Sequence, residues 1–254
     1  PDLSGVPLGR QKTMPMAATI MEALIRRTDA ERIIVSGTSI RDGLIADREL
    51  GASDRADFLH AVCQEISRTS HRFAGVPEAL MSLLRPLFTA GKDRDAETVI
   101  RDRQRFERLL EAACYLSDMC WNEHEDVRGG LGARRVLGLP VNCITHKERV
   151  WLAVAIYHRY VGRKTNKSRP HELSFILSRR RRAQATTIGL GLRFALTFSG
   201  GTANSLEKLR FSNDGKRLTL HVDPSCAALV DSHAMRRFQQ LAQSANLVPE
   251  VQQG

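Results

Sequence analysis

Apolar residues recur at every third or fourth position over most of this chain, and alternate only near its end. Residues 15–28 carry Ala18, Met21, Ala23, Leu24 and Ile25 on one helical face, and Pro15 suits a first helical turn. The β-branched run Arg32-Ile33-Ile34-Val35-Ser36, closed by Gly37, predicts a buried strand. Ser39 then caps a helix from Ile40 to about Leu50, which Gly51 stops. A single strand cannot make a sheet. Residues 1–52 therefore read as the tail of an α/β domain whose body lies upstream of Pro1.

From residue 53 to 200 the pattern predicts a helical domain. Ser53 or Asp54 caps a helix with Phe58, Leu59, Val62 and Ile66 on one face. Leu80, Leu83, Leu84, Leu87 and Phe88 mark a second helix, bent or broken near Pro86. A third runs from about Ala96 to Met119, and a fourth from Leu131 to Leu137. The fifth starts at a capping box, Thr145-His146-Lys147-Glu148. Its body, Val150 to Val161, is apolar almost all round and should run through the middle of the bundle. A polar loop spans 164–170, and Leu173 to Phe198 gives one or two more helices. Over 201–254 the alternation of Leu209 and Phe211 with Leu218, Leu220 and Val222, across Asp214-Gly215, predicts a β-hairpin, followed by a helix from about Ser225 to Ala245. The fold class is thus mainly α, with a small C-terminal α/β domain.

Charge changes this picture. Lysine and arginine number 38 against 28 aspartate and glutamate. Thirteen basic residues lie between Arg134 and Arg182, with Glu148 and Glu172 as their only acids. That segment carries the whole excess, which argues for a polyanionic partner. Aromatic residues are 6% of the chain, so stacking on single-stranded bases is weakly supported and a nucleic-acid partner is disfavoured. A partner that is mostly phosphate fits better. The five cysteines are scattered with no CxxC, which fits a reducing cytoplasm. No apolar run reaches the ~18 residues of a membrane span, and no membrane partner is expected. Pro1-Asp2-Leu3-Ser4 reads as a cut inside a longer protein.

Several segments, in order, resemble a known family. Gly9-Arg10, then Ile33 to Gly37, then Arg41-Asp42-Gly43 resemble the end of the phosphatase core in the exopolyphosphatase/guanosine-pentaphosphate phosphatase family. Arg108 to Met119 resembles a helix of that family's helical domain, which is related to HD phosphohydrolases. Trp121, His124 to Gly129, and Ile156 to Tyr160 follow in the expected order. The resemblance implies that residues 1–52 end an actin-like ATPase-fold lobe, that 53–200 form an HD-like domain, and that 201–254 are the family's small last domain. It implies hydrolysis of terminal phosphoanhydride bonds of inorganic polyphosphate, with magnesium neutralising the phosphates and a homodimer as the assembly. The same chemistry on guanosine pentaphosphate is the neighbouring reading, and a nucleotide would need a base pocket. A non-catalytic nucleic-acid module is the reading from another class.

The family's Asp-x-Gly-Ser and Asp-x-Gly-Gly-Gly loops do not occur in this sequence, so no catalytic residue is assigned. Ser117-Asp118 stands where an HD hydrolase has His-Asp. His71, Asp118, His124 and His158 could supply metal ligands, with Asp118 and His124 the candidates to test, but polar anchoring between helices explains both more simply. For the polyanion the candidates are Arg41, His158, Arg159, Arg163, Lys164, Lys167 and Arg180, since arginine and lysine hold phosphates by charge-assisted hydrogen bonds.

Overall fold

The structure is a computed structural model describing residues 4–33, 35, 37, 39–49, 57–70, 72, 74–88, 95–141, 143–163 and 172–253. Two units separate, Pro1–Gly37 and Thr38–Gly254. The first holds α1 (Leu8–Gln11) and α2 (Met14–Thr28), with Pro15 in the first turn of α2 as its fixed φ requires. No residue of either helix is buried, so the stripe of Met21 and Leu24 is open. Arg32, Ile33 and Val35 lie in irregular, exposed backbone. This corrects the expected strand at its described residues; Ile34 and Ser36 lie outside them.

The second unit begins with α3 (Ile40–Glu49), where Ser39 and Asp42 cap each other's backbone N–H groups. Six helices then build a bundle: α4 (Phe58–Ser70), α5 (Val76–Leu84), α6 (Ala96–Leu116), α7 (Glu125–Leu137), α8 (His146–Val161) and α9 (Arg179–Phe198). The expected caps Ser53 and Asp54 lie outside the described residues, as does His71. Pro86 sits in a 3-10 turn, Arg85–Leu87, that ends the α5 path. The capping box forms as the sequence requires: Thr145 Oγ1 accepts from Glu148 N at 3.2 Å, and Glu148 Oε2 accepts from Thr145 N at 2.8 Å.

Helix α8 is the axis of the bundle, packed against α6, α7 and α9. Ten consecutive-turn residues from Val150 to Tyr160, all except Arg159, are buried. At about 1.5–3 kcal/mol for each large apolar side chain removed from water, this helix is the main source of burial. Its neighbours approach closely because of three glycines. A Cβ at Gly132 would meet Ile156 Cγ2 at 2.9 Å, one at Gly129 would strike Val161, and one at Gly189 would stand 2.7 Å from His158 Cβ. Helix α7 starts at Glu125, six residues before the expected Leu131, because Gly129, Gly130 and Gly132 hide its apolar face in the sequence.

After the short α10 (Ala203–Glu207), β1 (Leu209–Asn213) and β2 (Arg217–Val222) form the expected antiparallel hairpin, with Phe211 opposite Leu220. Gly215 takes φ 85°, and Asp214 Oδ1 accepts from Lys216 N and Arg217 N at 2.8 and 2.6 Å. The single helix expected over 225–245 is two elements: a 3-10 turn, Pro224–Leu229, and α11 (Ser232–Ser244), each with an aspartate cap. A third strand, β3 (Val248–Gln253), pairs in parallel with β2 and completes the order β1-β2-β3. Phe194 on α9, Phe211 on β1 and Phe238 on α11 meet with ring centroids 5.6–5.8 Å apart. The chain is therefore mainly helical with a small three-stranded sheet at its C-terminal end. Among the described residues no helix is long and apolar enough to cross a membrane.

Candidate functional site

The clustering of arginine in the sequence does not carry over to one place in the fold. His158 and Arg159 lie near the C-terminal end of α8, and both are committed internally. His158 is buried and its Nδ1 donates to the Gly162 carbonyl at 2.8 Å. Arg159 donates to the Ser117 carbonyl at 3.1 Å and pairs with Asp118 at 3.2 Å. Its guanidinium also stacks 4.5 Å from the centre of the Tyr160 ring. Asp118 is further held by Arg72 at 2.9 Å. Burial lowers the Arg159 pKa, while Tyr160 and Asp118 oppose that effect. Asp118 thus binds two guanidiniums, whereas His124 caps α7 by accepting from Asp126 N at 3.3 Å. Among the described residues no three histidine, cysteine, aspartate or glutamate side chains converge as metal ligands.

Arg163 is exposed and donates to Gln243 at 2.9 Å. Arg41 is exposed on α3. Lys164 and Lys167 lie outside the described residues. Arg180 stands elsewhere, at the start of α9, paired with Asp102 of α6 at 3.0 Å. Of the described candidates, Arg159 is engaged with Asp118 and Arg180 with Asp102, on different helices.

A different set does converge, at the N-terminal ends of α8 and α9 beside the first half of α6. A cleft of about 370 Å³ is lined by Arg105, Lys147, Glu148, Trp151 and Arg181 among others. A shallower hollow of about 580 Å³ shares Arg105 and Glu148 with it and adds Arg101, Asp102 and Arg108. A third, of about 550 Å³, carries Arg179 and Arg180, and Arg180 reaches across to Asp102. The first two make one trough with five cations and two carboxylates, and the third adjoins it through the Arg180–Asp102 pair. Both carboxylates have partners: Asp102 with Arg180, and Glu148 with Arg105 at 2.7 Å.

Helix electrostatics oppose this arrangement. Arg179 to Arg182 occupy the first turn of α9, which contains no acid. The positive end of the helix macrodipole disfavours each such cation by about 0.3–1 kcal/mol. Ser178 caps the helix by accepting from Arg181 N at 3.3 Å. Burial lowers the pKa of Arg181 and Arg105 lowers it further, while Asp102 and Glu148 oppose them. An anion in the trough would relieve these repulsions. Burial also acts to raise the Glu148 pKa, yet hydrogen bonds from Thr145 and Arg105 outweigh it and the carboxyl is held below its ordinary range.

Arg101, Arg105 and Arg108 escaped the sequence reading because they lie outside the 134–182 segment. Their i, i+4, i+7 spacing puts them on one helix face, and that was the available signal. A comparison with curated proteins finds none that matches. Residues 90–248 match the family model described as the C-terminal region of exopolyphosphatase. The match spans α6 to the start of β3, including the trough, its cleft and the arginine-held Asp118. Covering well over half of the chain and agreeing with the resemblance carried by Arg108 to Met119 and the segments around it, this match places the chain in the exopolyphosphatase family, as its C-terminal portion.

Proposed function

We propose that the chain is the polyanion-holding part of a phosphohydrolase that removes terminal phosphates from inorganic polyphosphate. The observation that carries this reading is the trough: five cations against two carboxylates that are each already paired, beside an arginine-rich first turn of α9 that contains no acid of its own. A chain of phosphates supplies repeated negative charge along such a surface, and arginine grips it bidentately. The family points to a phosphohydrolase; the catalytic water, its activating carboxylate and magnesium belong in this reading to the family's catalytic core. The residues described here do not fit a magnesium site, since Asp118 is occupied by Arg72 and Arg159. The expected actin-like lobe tail finds support in the open apolar stripe of α2, which asks for a covering surface. A homodimer and a cytoplasmic setting remain part of the proposal, the latter supported by five free cysteines.

The test is binding of this chain to long-chain polyphosphate at two salt concentrations, with duplex DNA as competitor. Replacing Arg101, Arg108 and Arg179 together with Ala should weaken binding at least tenfold and flatten its salt dependence, by analogy with phosphate contacts in nucleic acids. Arg163→Ala should leave it unchanged. An unchanged Kd in the triple variant, or displacement by DNA at matching concentration, would refute the reading.

A further inference from the structure

The two carboxylates of the trough are not equivalent. Glu148 is fixed in place. Its side chain is 9% exposed, one oxygen takes Arg105 at 2.7 Å, and the other accepts from Thr145 N and Oγ1. Moving it would undo the capping box that starts α8. Asp102 sits within α6 and caps no helix. Its side chain is 20% exposed, and its Oδ2 accepts from Arg180 Nη1 at 3.0 Å, across to the first turn of α9.

This second pair stands where two hollows adjoin. Asp102 lines the hollow that carries Arg101 and Arg108, and Arg180 lines the one that carries Arg179. An anion confined to one hollow leaves the pair closed. A chain reaching from Arg101 to Arg179 has to pass Arg180, whose guanidinium Asp102 holds. The carboxylate also offsets a cation at the positive end of a helix dipole, as a phosphate there would. Asp102 is in effect a tethered anion at a phosphate position. An incoming chain exchanges one charge-assisted hydrogen bond for another, and arginine binds phosphate bidentately.

We propose that Asp102 sets the length of anion the trough admits, as an internal competitor displaced by a chain that holds cations on both sides of the Arg180 pair. Short phosphates then stay on the α6 side, and an extended polyanion gains Arg179 beyond the pair. The displaced carboxylate turns to solvent, and Arg180 keeps an ionic partner throughout. This rests on the trough being the phosphate-holding surface, the reading given above. It also predicts a sign. A carboxylate that merely positioned Arg180 would weaken binding when removed, whereas a competitor strengthens it.

The test measures binding of long-chain polyphosphate and of inorganic triphosphate to the 254-residue chain and its variants. Asp102→Asn should bind the long chain about fivefold more tightly, the order expected for a part-exposed ion pair, and triphosphate less than twofold more tightly. Asp102→Glu, which restores the carboxylate, should stay within twofold of wild type. Glu107 pairs with Arg85 and Arg103 and lines none of these hollows, so Glu107→Gln controls for the loss of one negative charge and should change neither ligand by twofold. In an Arg180→Gln background, where the contested cation is gone, Asp102→Asn should add nothing. Arg179→Ala, at an exposed position, should weaken the long chain and spare triphosphate, which keeps the test open should Asp102→Asn fail to fold. Long-chain binding that Asp102→Asn weakens or leaves unchanged would overturn the proposal while leaving the earlier reading intact. Equal tightening of triphosphate, tightening that persists without Arg180, or equal loss of both ligands in Arg179→Ala would overturn it too. Failure of wild type and Asp102→Asn alike to bind either phosphate would sink both readings.

Discussion

Removing the Asp118 carboxylate should cost this protein a large part of its stability. Asp118 is 3% exposed and stands between two guanidiniums, Arg72 at 2.9 Å and Arg159 at 3.2 Å. The two partners differ in what they lose. The Arg72 side chain is 32% exposed and can turn to water, so its share is that of a surface pair, below about 1 kcal/mol. Arg159, with its side chain 11% exposed, would keep the Ser117 carbonyl and the Tyr160 ring and no counter-charge. Breaking a buried pair from one side costs about 3–5 kcal/mol. For Asp118→Ala we expect about 3 kcal/mol, the lower end, because Arg159 keeps one carbonyl. That is a substantial fraction of the 5–15 kcal/mol typical of a folded protein. It corresponds to a fall in Tm of about 6–12 °C for a chain of this size. Urea unfolding of wild type, Asp118→Ala, Arg159→Met and the double variant would measure it, with the double variant recovering at least 1 kcal/mol of the summed losses. A loss below about 1 kcal/mol in Asp118→Ala, or additive single losses, would refute the reasoning. So would release of a stoichiometric bound metal on the same substitution, because Asp118 would then be a ligand and not an anchor.

Gly189→Ala places a Cβ 2.7 Å from His158 Cβ and against the Ala155 backbone; it should destabilise by about 1–3 kcal/mol or more despite the better helix propensity of alanine, measured by thermal unfolding. Glu148 gives a pH prediction. Its folded pKa lies below the ordinary value of 4.5, so its stabilising contribution is present above that value and fades as pH falls through the folded pKa. Glu148→Gln should therefore show a shallower loss of stability than wild type below about pH 4.5, read from urea midpoints across pH; parallel profiles would contradict it.

Local chemistry was legible where one residue decides the geometry. The Thr145–Glu148 box, the Asp214-Gly215 turn and the Ser39 cap are all contacts within three residues, so sequence spacing determines them. The central position of α8 was legible too, because a helix apolar all round has to be covered. Helix α7 was obscured by its glycines, whose role of admitting Ile156 and Val161 exists only once α8 is beside it. Strand β3 was obscured because Val-Pro-Glu-Val-Gln-Gln carries little apolar alternation, and its pairing partner β2 lies across α11. The site was read from neighbours along the chain. Arg159 and His158 turned inward to Asp118 and the Gly162 carbonyl, whereas Arg105 and Arg181, 76 positions apart in number, share one cleft. Charge density along a sequence argues for an anionic partner. It does not show which arginines are already engaged.

Gly129 and Gly132 on one side of α8 and Gly189 on another remove the side chains that would act as cushions between these helices. Backbone and Cβ atoms abut with little free travel, and closely packed interiors transmit strain instead of absorbing it. Helix α8 is then a strut of about 24 Å, with Lys147 at one end and the Arg159–Asp118 pair at the other. The trough residues Lys147 and Glu148 and the buried Arg159–Asp118 pair thus share one closely packed helix, held at both ends by its neighbours.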